Sequence, residues 1–423
     1  MTTTATDLTS YVESLCTNAL RASRSLATLS GRTRDGALMA MARTMRERSA
    51  VIAEANAKDL AAAREGNLPD AMVDRLTLDE AKIDKVARAV EEVAAQPDPV
   101  GQTISAYNTP SGLRVERRRV PLGVVAMIYE ARPEVTSDAA SLCIKSGNAV
   151  ILRGGKESIH SNCAIGRVIS EALDAAGLDP KSVQVVETID RALVPILVKQ
   201  NDYISVVVPR GGEGLIRAVA AEATVPVLKH FTGNCHVYVD RLCPYDMAEK
   251  VVLNSKLQRV SVCNAAETIL FDSVIAADYL PKIGRKLLEA GCEIRGCPRT
   301  CELLPDAKPA VDQDWYEEYL DLIVACKVVD DVDAAIDHIN TYGSHHTDAI
   351  LTTDIATADR FVAAVDSSSV MVNCSTRLSD GGVYGLGAEI GISTDKLHAR
   401  GPMGAADLTT YKYICTADGM IRT

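Results

Sequence analysis

The chain contains 423 residues, of which 47% are apolar and only 4% aromatic. This length can bury a large core in two or three domains, and packing by Ala, Val, Leu and Ile is typical of α/β enzymes with buried parallel strands. The net charge of -11 and the pI near 5.3 argue against a nucleic-acid partner, because phosphate binding needs a basic surface.

The cysteines and the start of the chain indicate the compartment. No Cys-x-x-Cys pair occurs, so the twelve cysteines are predicted to be reduced thiols in a cytoplasmic protein. Residues 1–10 lack the features of a signal peptide, and no apolar run approaches the roughly 20 residues of a membrane helix. Cys292, Cys297 and Cys301 cluster in a spacing that matches no common zinc pattern. We interpret them as part of a surface turn rich in Gly and Pro, and we predict no metal site.

The first 120 residues contain predicted helices and then a strand. Residues 1–100 are helical in pattern, with Leu38, Met41 and Met45 at helical spacing. Residues 113–120 alternate between apolar and polar side chains. The basic run at 117–119 within them is interpreted as part of a solvated edge strand rather than as a nucleic-acid patch.

Strands and helices alternate from residue 121 onward. Strands are predicted at 123–129, 149–152, 183–186 and 204–208, and helices at 137–146, 161–176 and 191–199. This spacing predicts right-handed crossovers and a doubly wound parallel sheet. Ligands of such sheets bind at the carboxyl ends of the strands.

Two Gly-Gly turns follow strands of this predicted sheet. They read Arg153-Gly154-Gly155-Lys156 and Pro209-Arg210-Gly211-Gly212. Each places backbone N–H groups and a cation where a strand gives way to a helix, which suits phosphate oxygens. Glu157 after the first turn excludes a Walker motif, and the glycines at 385, 387 and 391 are better explained as tight turns. A turn glycine is the default interpretation of each pair alone, but two pairs in one sheet favour a dinucleotide site.

Cys263 has an unusual position for a thiol. It follows polar and cationic residues and precedes the apolar run at 269–271. A nucleophilic cysteine must be reachable, and its thiolate needs nearby positive charge or backbone N–H groups. Lys256 and Arg259 supply candidate charge. The alternative is a packed thiol, and this is our interpretation of the other eleven cysteines.

Seven segments carry a family resemblance when they are taken in order. They read Leu122-Gly-Val-Val, Tyr129-Glu-Ala-Arg-Pro133, Lys145-Ser-Gly-Asn-Ala-Val-Ile-Leu-Arg-Gly-Gly155, Pro209-Arg-Gly-Gly, Cys235-His-Val-Tyr-Val-Asp240, Gln258-Arg-Val-Ser-Val-Cys-Asn-Ala-Ala-Glu-Thr268 and His398-Ala-Arg-Gly-Pro402. This set resembles the gamma-glutamyl phosphate reductase family of the aldehyde dehydrogenase superfamily, over residues 32–422.

The resemblance implies an α/β fold of three parts. N-terminal helices and a Rossmann-type cofactor domain would occupy 1–100 and 122–235, and an α/β catalytic domain would occupy 236–384. A hairpin at 101–121 and the segment 385–423 would form a small β domain for homo-oligomer formation.

The resemblance also implies a reaction, the NADPH-dependent reduction of L-glutamyl 5-phosphate to L-glutamate 5-semialdehyde in proline biosynthesis. Cys263 would form a thioester. Candidate oxyanion donors are the N–H groups of Cys263 and Asn264, with Arg132 where the superfamily carries an amide. The general-base glutamate of oxidising relatives is missing from 229–235. Its absence fits an enzyme whose thioester reacts with phosphate rather than with water. His230 and His236 remain candidate proton carriers.

Cofactor and substrate residues follow from the same resemblance. Arg153 and Lys156 match positions near the adenosine ribose and favour NADP over NAD. Glu318 aligns with the acid that holds the nicotinamide ribose, and its alternative is a helix-surface carboxylate. The candidates for the amino-acid end of the substrate are Asn373, Ser375, Thr376 and Arg377, whereas Cys374 is expected to be packed.

Three alternatives stay open from the sequence. The first is an NAD(P)-dependent dehydrogenase that acts on another semialdehyde, which would form and release NADPH when no phosphate is added. A cysteine hydrolase using Cys263 with His236 would turn over an ester without nicotinamide. An inactive interaction protein is the third. Association with glutamate 5-kinase, which makes the labile acyl phosphate, is a further hypothesis about partners.

Overall fold

The computed structural model describes residues 5–422, which form two compact units. Unit 1 contains the described parts of Met1–Lys229 and Met403–Thr423 together with Gly385–Gly391. Unit 2 contains His230–Tyr384 and Ile392–Pro402. No helix in the described range has the length and apolar character needed to span a bilayer.

Unit 1 begins with helices, as the sequence predicts, and Leu38, Met41 and Met45 are buried in its core. Ser30 and Asp79 cap two of these helices by accepting a backbone N–H. The helices of unit 1 are α1 Ala5–Leu26, α2 Gly31–Glu47, α3 Ser49–Glu65, α4 Asp70–Leu76, α5 Glu80–Ala95, α6 Glu134–Lys145, α7 Ile159–Ala175, α8 Leu193–Leu197 and α9 Glu213–Glu222.

A four-stranded parallel sheet lies at the centre of unit 1. The strands of the N-terminal part of the unit are β1 Thr103–Asn108, β2 Arg114–Pro121, β3 Val124–Tyr129, β4 Ala149–Arg153, β5 Val183–Val185 and β6 Val206–Arg210. The sheet order is β5-β4-β3-β6, and every residue of β3 is buried. The predicted parallel sheet is therefore confirmed. Its order reverses between β3 and β6, which makes the carboxyl ends of these strands a ligand-binding crevice in folds of this class.

Unit 2 is built on a seven-stranded sheet in which all the described neighbours pair in parallel. Its strands are β7 Cys235–Val239, β8 Ala266–Asp272, β9 Glu293–Gly296, β10 Lys308–Pro309, β11 Ile323–Val329, β12 Thr347–Leu351 and β13 Ser369–Val372. Its helices are α10 Tyr245–Leu257, α11 Ser273–Glu289, α12 Pro298–Leu303, α13 Val332–Tyr342 and α14 Ile355–Ala364. The order is β10-β9-β11-β8-β7-β12-β13.

The last strands are short, except for the final one. They are β14 Gly391–Ser393, β15 Gly401–Met403 and β16 Thr409–Thr416. Short 3₁₀ turns lie at Lys156–Ser158, Pro180–Ser182, Asp312–Trp315, Thr376–Leu378 and Ala405–Leu408. Gly385 and Gly387 have φ values of 78° and 74°, which agrees with their interpretation as turn glycines. The same interpretation is wrong for Gly391, which begins β14.

A separate three-stranded sheet has the order β1-β2-β16. The basic run at 117–119 lies in β2, which pairs with β1 on one side and with β16 on the other. The prediction of a strand is therefore confirmed, but the prediction of an edge is wrong. The partner strand comes from the far end of the chain, where local sequence gives no sign of the pairing. The role of this sheet in oligomer formation stays a prediction.

All twelve cysteines lie in the described range and carry free thiols. The interpretation of Cys292, Cys297 and Cys301 as part of a surface turn is wrong. Cys292 precedes β9 and Cys297 caps α12, and both are buried in the core of unit 2 with Cys301 packed against them. These thiols behave as small apolar side chains.

Candidate active site

Cys263 lies in a turn at the amino end of β8. The turn covers residues 258–265, after α10 ends at Leu257. It is closed by a hydrogen bond of 3.1 Å from the Ala265 N–H to the Val262 carbonyl oxygen. Cys263 is half-buried, whereas Asn264 and the residues of β8 are buried. The thiol is therefore at the boundary of the core rather than inside it.

Two neighbouring strands bring further residues to this turn. The strands β8, β7 and β12 lie side by side and run parallel, so their amino ends share one edge of the sheet. Gly233 lies just ahead of β7 and His346 just ahead of β12. Cys263 thus lies at the amino edge of this sheet, opposite to the edge at which α/β sheets usually bind ligands.

Gly233 and Cys235 pack against the backbone of Cys263. A Cβ atom at Gly233 would lie 2.0 Å from the Cys263 carbonyl oxygen, so a larger residue does not fit. The Cys235 thiol donates a hydrogen bond to the same oxygen at 3.2 Å. Burial, followed by the charge of Asp348, raises the pKa of Cys235 well above its usual range. Cys235 therefore remains a thiol and helps to fix the turn.

Two imidazole rings gather at the Cys263 sulfur. One ring nitrogen of His230, one of His346 and the sulfur atom all lie within 4.8 Å of one another. The rings meet edge to face, with their centroids 5.6 Å apart. His346 is fully buried and His230 is half-buried. Histidine 346 was not among the sequence-predicted residues, because only the strand order brings it to the turn.

Hydrogen bonds define which nitrogen of each neutral ring carries the proton. His230 Nδ1 lies 2.9 Å from the Ile392 carbonyl oxygen, which can only accept. His346 Nδ1 lies 2.9 Å from Thr347 Oγ1, and this hydroxyl donates its own proton to Ser379 Oγ. In its neutral form each ring therefore carries the proton on Nδ1 and a lone pair on Nε2.

His236 has a different environment. Its Nδ1 atom lies 3.0 Å from Asp348 Oδ1, and both side chains are fully buried. Its backbone N–H also donates to Asp348 Oδ1 at 2.8 Å, which holds His236 against the neighbouring strand β12. There its ring meets His338, whose pKa is lowered to about 2 by burial and then by His236. This arrangement does not support His236 as the proton partner of Cys263, which weakens the hydrolase alternative.

Lys256 does not supply positive charge to the thiol, and the sequence interpretation of this residue is wrong. It is fully buried, and its Nζ atom lies 2.6 Å from Glu267 Oε2. Glu267 also accepts the Leu320 N–H at 3.2 Å. Burial raises the pKa of Glu267 to about 7, although the Lys256 charge acts in the opposite direction. The pair joins the end of α10 to the start of β8 and so closes the base of the Cys263 turn.

Arg377 is close enough to Cys263 for their charges to interact. Burial and then the charge of Arg259 lower the pKa of Arg377, whereas Cys263 acts in the opposite direction. Arg377 Nε donates to Gln258 Oε1 at 2.9 Å, so the half-buried guanidinium is tied to the same turn. One guanidinium group therefore lies in the electrostatic neighbourhood of Cys263, and a second, that of Arg259 in the same turn, lies in the neighbourhood of Arg377. Such groups suit a phosphate or carboxylate.

The other predicted substrate residues hold the loop after β13. Asn373 has a φ of 58°, and its side-chain oxygen accepts the Thr352 N–H at 2.8 Å. Ser375 is buried, and its hydroxyl lies 3.0 Å from Ser255 Oγ. The Thr376 side chain is fully buried. Their contact with substrate stays a prediction. Their hydrogen bonds and burial show that they stabilise the conformation of the loop.

Asn264 and Glu318 occupy defined positions in unit 2. The Asn264 side chain donates to the Ser379 carbonyl oxygen at 2.8 Å, which leaves its backbone N–H as the candidate oxyanion donor. Glu318 is half-buried in the irregular segment 317–320, and its charge acts on Glu267 and Cys235. It is therefore not a helix-surface carboxylate. Cys374 donates to Met371 Sδ at 3.7 Å, as a packed thiol would.

The predicted cofactor turns lie in unit 1 on both sides of β3. Sequence reasoning missed Glu130, which follows β3 directly. Its carboxylate accepts the Gly212 N–H at 2.8 Å, at the start of α9, and approaches Gly211 so closely that a Cβ there would lie 2.5 Å from it. A carboxylate thus fills the anion position that the sequence assigns to a cofactor phosphate. Arg210 pairs with Glu389 instead, at 3.6 Å.

The first cofactor turn combines a buried and an exposed cation. Arg153 is buried, and its Nε atom has no hydrogen-bond partner among residues 5–422. Burial and then the charge of Arg191 lower its pKa. Lys156 is exposed at the start of a 3₁₀ turn. Gly154 is required by packing, since a Cβ there would lie 2.0 Å from Asn162 Nδ2.

Arg132 is half-buried in the loop between β3 and α6, in unit 1. Its carbonyl oxygen accepts the Val135 N–H at 3.1 Å, which helps to start α6. The motif that contains Arg132 also contains Glu130. A carboxylate directly after the central strand is the signal that could have predicted the Glu130 contact. The catalytic role of Arg132 stays a prediction.

Comparison with known proteins decides the family. The chain matches the model of the aldehyde dehydrogenase family over residues 2–291. It is 52% identical to a gamma-glutamyl phosphate reductase from Desulfatibacillum aliphaticivorans, over 95% of this chain and 96% of that protein. A gamma-glutamyl phosphate reductase from Moorella thermoacetica is also 52% identical, over 96% of this chain and 97% of the relative. The chain belongs to the gamma-glutamyl phosphate reductase family.

A solved structure of this family agrees with the fold. The crystal structure of gamma-glutamyl phosphate reductase from Thermotoga maritima superposes with a TM-score of 0.95 at 43% identity, covering 97% of this chain and 100% of that one. The family resemblance and the aldehyde dehydrogenase-like α/β fold are therefore confirmed. Membership of the gamma-glutamyl phosphate reductase family implies a nicotinamide cofactor and an oxidoreductase that acts on a small molecule.

Proposed function

We propose that the protein uses NADPH to reduce L-glutamyl 5-phosphate to L-glutamate 5-semialdehyde and phosphate, through a thioester on Cys263. The observation that carries the proposal is the Cys263 turn. In a chain of this family, it combines a half-buried thiol with two guanidinium groups and two imidazole rings. The product would close spontaneously to pyrroline-5-carboxylate, so the reaction would be the second step of proline biosynthesis from glutamate.

The Cys263 thiolate attacks the carbonyl carbon of the acyl phosphate. A carbon–sulfur bond forms, the carbon–oxygen bond to the phosphate breaks, and inorganic phosphate leaves with the electron pair. The charge that develops on the carbonyl oxygen is stabilised by the backbone N–H groups of Cys263 and Asn264, with Arg132 as a further candidate donor. NADPH, when bound, supplies the hydride that reduces this thioester. The carbon–sulfur bond then breaks, which releases the aldehyde and restores the thiolate.

His230 and His346 are suited to receive the thiol proton. Each neutral ring carries its proton on Nδ1 and a lone pair on Nε2, and both rings lie near the sulfur atom. Arg377 and Arg259 provide positive charge for the departing phosphate or for the substrate carboxylate. The other loop residues, Asn373, Ser375 and Thr376, would shape the end of the site that receives the amino acid.

The residues of unit 1 fit a dinucleotide. The Glu130 carboxylate, which accepts the Gly212 N–H, marks an anion position at the start of α9. A cofactor phosphate would replace this carboxylate there. The buried Arg153 Nε has an unused donor for a ribose oxygen. Arg153 and Lys156 favour NADP, because positive charge suits a 2′-phosphate. Glu318 of unit 2 would hold the nicotinamide ribose.

We also propose cytoplasmic location and a homo-oligomer that uses the three-stranded β1-β2-β16 sheet. This sheet carries the exposed aromatic residues Tyr107, Tyr411 and Tyr413. Aromatic residues are enriched at protein interfaces. Association with glutamate 5-kinase is a separate proposal, motivated by the lability of the acyl phosphate. A failure to detect accelerated transfer between the two enzymes would count against it.

The proposal is tested in the reverse direction with glutamate 5-semialdehyde, NADP and phosphate. The wild-type protein should reduce NADP over many turnovers only when phosphate is present, because without phosphate the reaction stops after one NADP per site, at the thioester. Cys263→Ala should lower kcat by at least about a thousandfold, because a nucleophile has been removed. Cys374→Ala, which removes a packed thiol from the loop after β13, is the matched control and should retain activity. Undiminished turnover in Cys263→Ala would refute the mechanism, and turnover without phosphate would favour a dehydrogenase of another semialdehyde.

A further inference from the structure

We propose that Cys263, His230 and His346 form a binding site for Zn²⁺ that blocks the nucleophile. The mechanism proposed above uses no metal, and the sequence predicts no metal site. The inhibitory consequence rests on the proposed function, since it assumes that Cys263 is the nucleophile. Metal binding itself does not depend on that assumption.

The donor set matches the preference of zinc. One thiolate and two imidazole nitrogens are soft and borderline ligands, which favour Zn²⁺ over Mg²⁺ or Ca²⁺. The three donor atoms lie within 4.8 Å of one another. Zinc–ligand bonds of about 2.0–2.3 Å place the donors of a tetrahedral site roughly 3.5 Å apart. The separations would therefore shorten by up to about 1.3 Å, through movement of the half-buried His230 and Cys263, to close on an ion.

The hydrogen bonds of both imidazoles already have the arrangement of metal-binding histidines. Such histidines donate their other ring N–H to a carbonyl or hydroxyl oxygen, which fixes the orientation of the ring. His230 donates from Nδ1 to Ile392 O, and His346 donates from Nδ1 to Thr347 Oγ1, each at 2.9 Å. With Nδ1 engaged in this way, Nε2 is the nitrogen that each neutral ring would offer to a cation.

Cys235 is not a fourth ligand, although it lies beside the site. Its thiol donates to Cys263 O at 3.2 Å, so its proton is held by the backbone of the turn. The ion would therefore have three protein ligands and one open position for water, as in catalytic zinc sites. Binding would release the Cys263 proton and hold the sulfur lone pair in a bond to the metal. A sulfur atom bound in this way cannot attack an acyl phosphate.

The site is tested with Co²⁺ as a spectroscopic probe in the full chain, under reducing conditions without a chelator. Wild-type protein should bind one equivalent, with a thiolate-to-cobalt charge-transfer band and the visible bands of a tetrahedral ion. Added Zn²⁺ should displace the bound Co²⁺ and remove its absorption bands. Cys263→Ala should abolish the charge-transfer band. His346→Gln and His230→Gln should each weaken binding by at least about tenfold, because each removes a ligand.

Cys163→Ala is the matched control. Cys163 is another half-buried thiol, and it lines a cavity in unit 1 together with His160, so it offers a competing soft site. The cobalt spectrum should be unchanged in this variant. A band that persists in Cys263→Ala, or wild-type protein that gives no band, would overturn the proposal. Far-UV circular dichroism of each variant identifies loss of binding that comes from misfolding.

A parallel activity assay separates this inference from the proposed function. Zn²⁺ should inhibit phosphate-dependent NADP reduction, and a chelator should restore it. If Cys263→Ala abolishes turnover but not the cobalt band, the metal site is wrong and the proposed function stands. If the cobalt band requires Cys263 but the wild-type protein does not turn over the semialdehyde, the metal site stands and the proposed function is wrong.

Discussion

The buried Lys256–Glu267 pair should be essential for the stability of unit 2, and Lys256→Met tests this. The two side chains are fully buried and 2.6 Å apart, and they join the helix and the strand that flank Cys263. The substitution leaves Glu267 without its cation. Breaking a buried pair in this way costs about 3–5 kcal/mol, because an uncompensated charge remains in the interior.

The stability lost in Lys256→Met should depend on pH, and the titration of Glu267 determines whether the loss grows or shrinks as the pH rises. Burial raises the pKa of this carboxyl from 4.5 to about 7 in the folded protein. The protonated Glu267 carboxyl therefore contributes stability that is fully present below pH 4.5, and this contribution is lost as the pH rises through 7. At about 1.36 kcal/mol per pKa unit, the loss is roughly 3 kcal/mol in the wild type. Without Lys256 the pKa should rise further, so the variant should lose more stability at pH 8.5 than at pH 5.5.

Urea unfolding at these two pH values measures the effect. Trp315 is the only tryptophan and is buried in the core of unit 2, so its fluorescence reports on this unit. Lys286→Met is the control, because Lys286 pairs with Glu249 on the surface and should contribute only about 0–1 kcal/mol. The double substitution with Glu267→Gln should recover most of the stability. A pH-independent loss in Lys256→Met that is no larger than that of Lys286→Met would show that the buried pair does not stabilise unit 2.

Three further predictions concern the cofactor turns and the nucleophile turn. Glu130→Ala should lower the Kd for NADP by about tenfold, or ~1.4 kcal/mol, because no side-chain oxygen then competes for the Gly212 N–H; an unchanged or higher Kd in calorimetry would contradict this. Gly233→Ala should lower kcat by about a hundredfold without changing the Kd for NADP, because the new Cβ displaces the Cys263 carbonyl; near-normal kcat would show that the turn tolerates the side chain. Lys156→Glu should reduce the ratio of kcat/KM for NADPH to that for NADH by about ten- to a hundredfold, since a charge-assisted hydrogen bond contributes ~1.5–3 kcal/mol; an unchanged ratio would exclude Lys156 from the 2′-phosphate site.

Local pattern was sufficient to predict the parallel sheet of unit 1. The strand predicted at 123–129 is Val124–Tyr129, and the strand predicted at 204–208 overlaps Val206–Arg210. Continuous apolar runs and flanking glycines are local properties, so a single sequence contains them. The central position of β2 depends on pairing with β16, and nothing near residue 117 encodes that partner.

The candidate site was predicted only in part, because it is assembled at the amino edge of parallel strands. Cys263 stood out through its own neighbours in the sequence. His346 and Gly233 reach it because β12 and β7 lie beside β8, which is a property of strand order. Lys256 was assigned the wrong role, since its burial beside Glu267 depends on packing between α10 and β8.

The central claim is the thioester on Cys263, and trapping it is the most direct test. Wild-type protein would be incubated with glutamate 5-semialdehyde and NADP without phosphate, then quenched in acid, which keeps the substrate amine protonated. Mass spectrometry of the peptides should find a glutamyl adduct on Cys263. The adduct should require NADP and should disappear when phosphate is added before the quench. Turnover with an adduct on another cysteine, or with no adduct on any cysteine, would contradict the account.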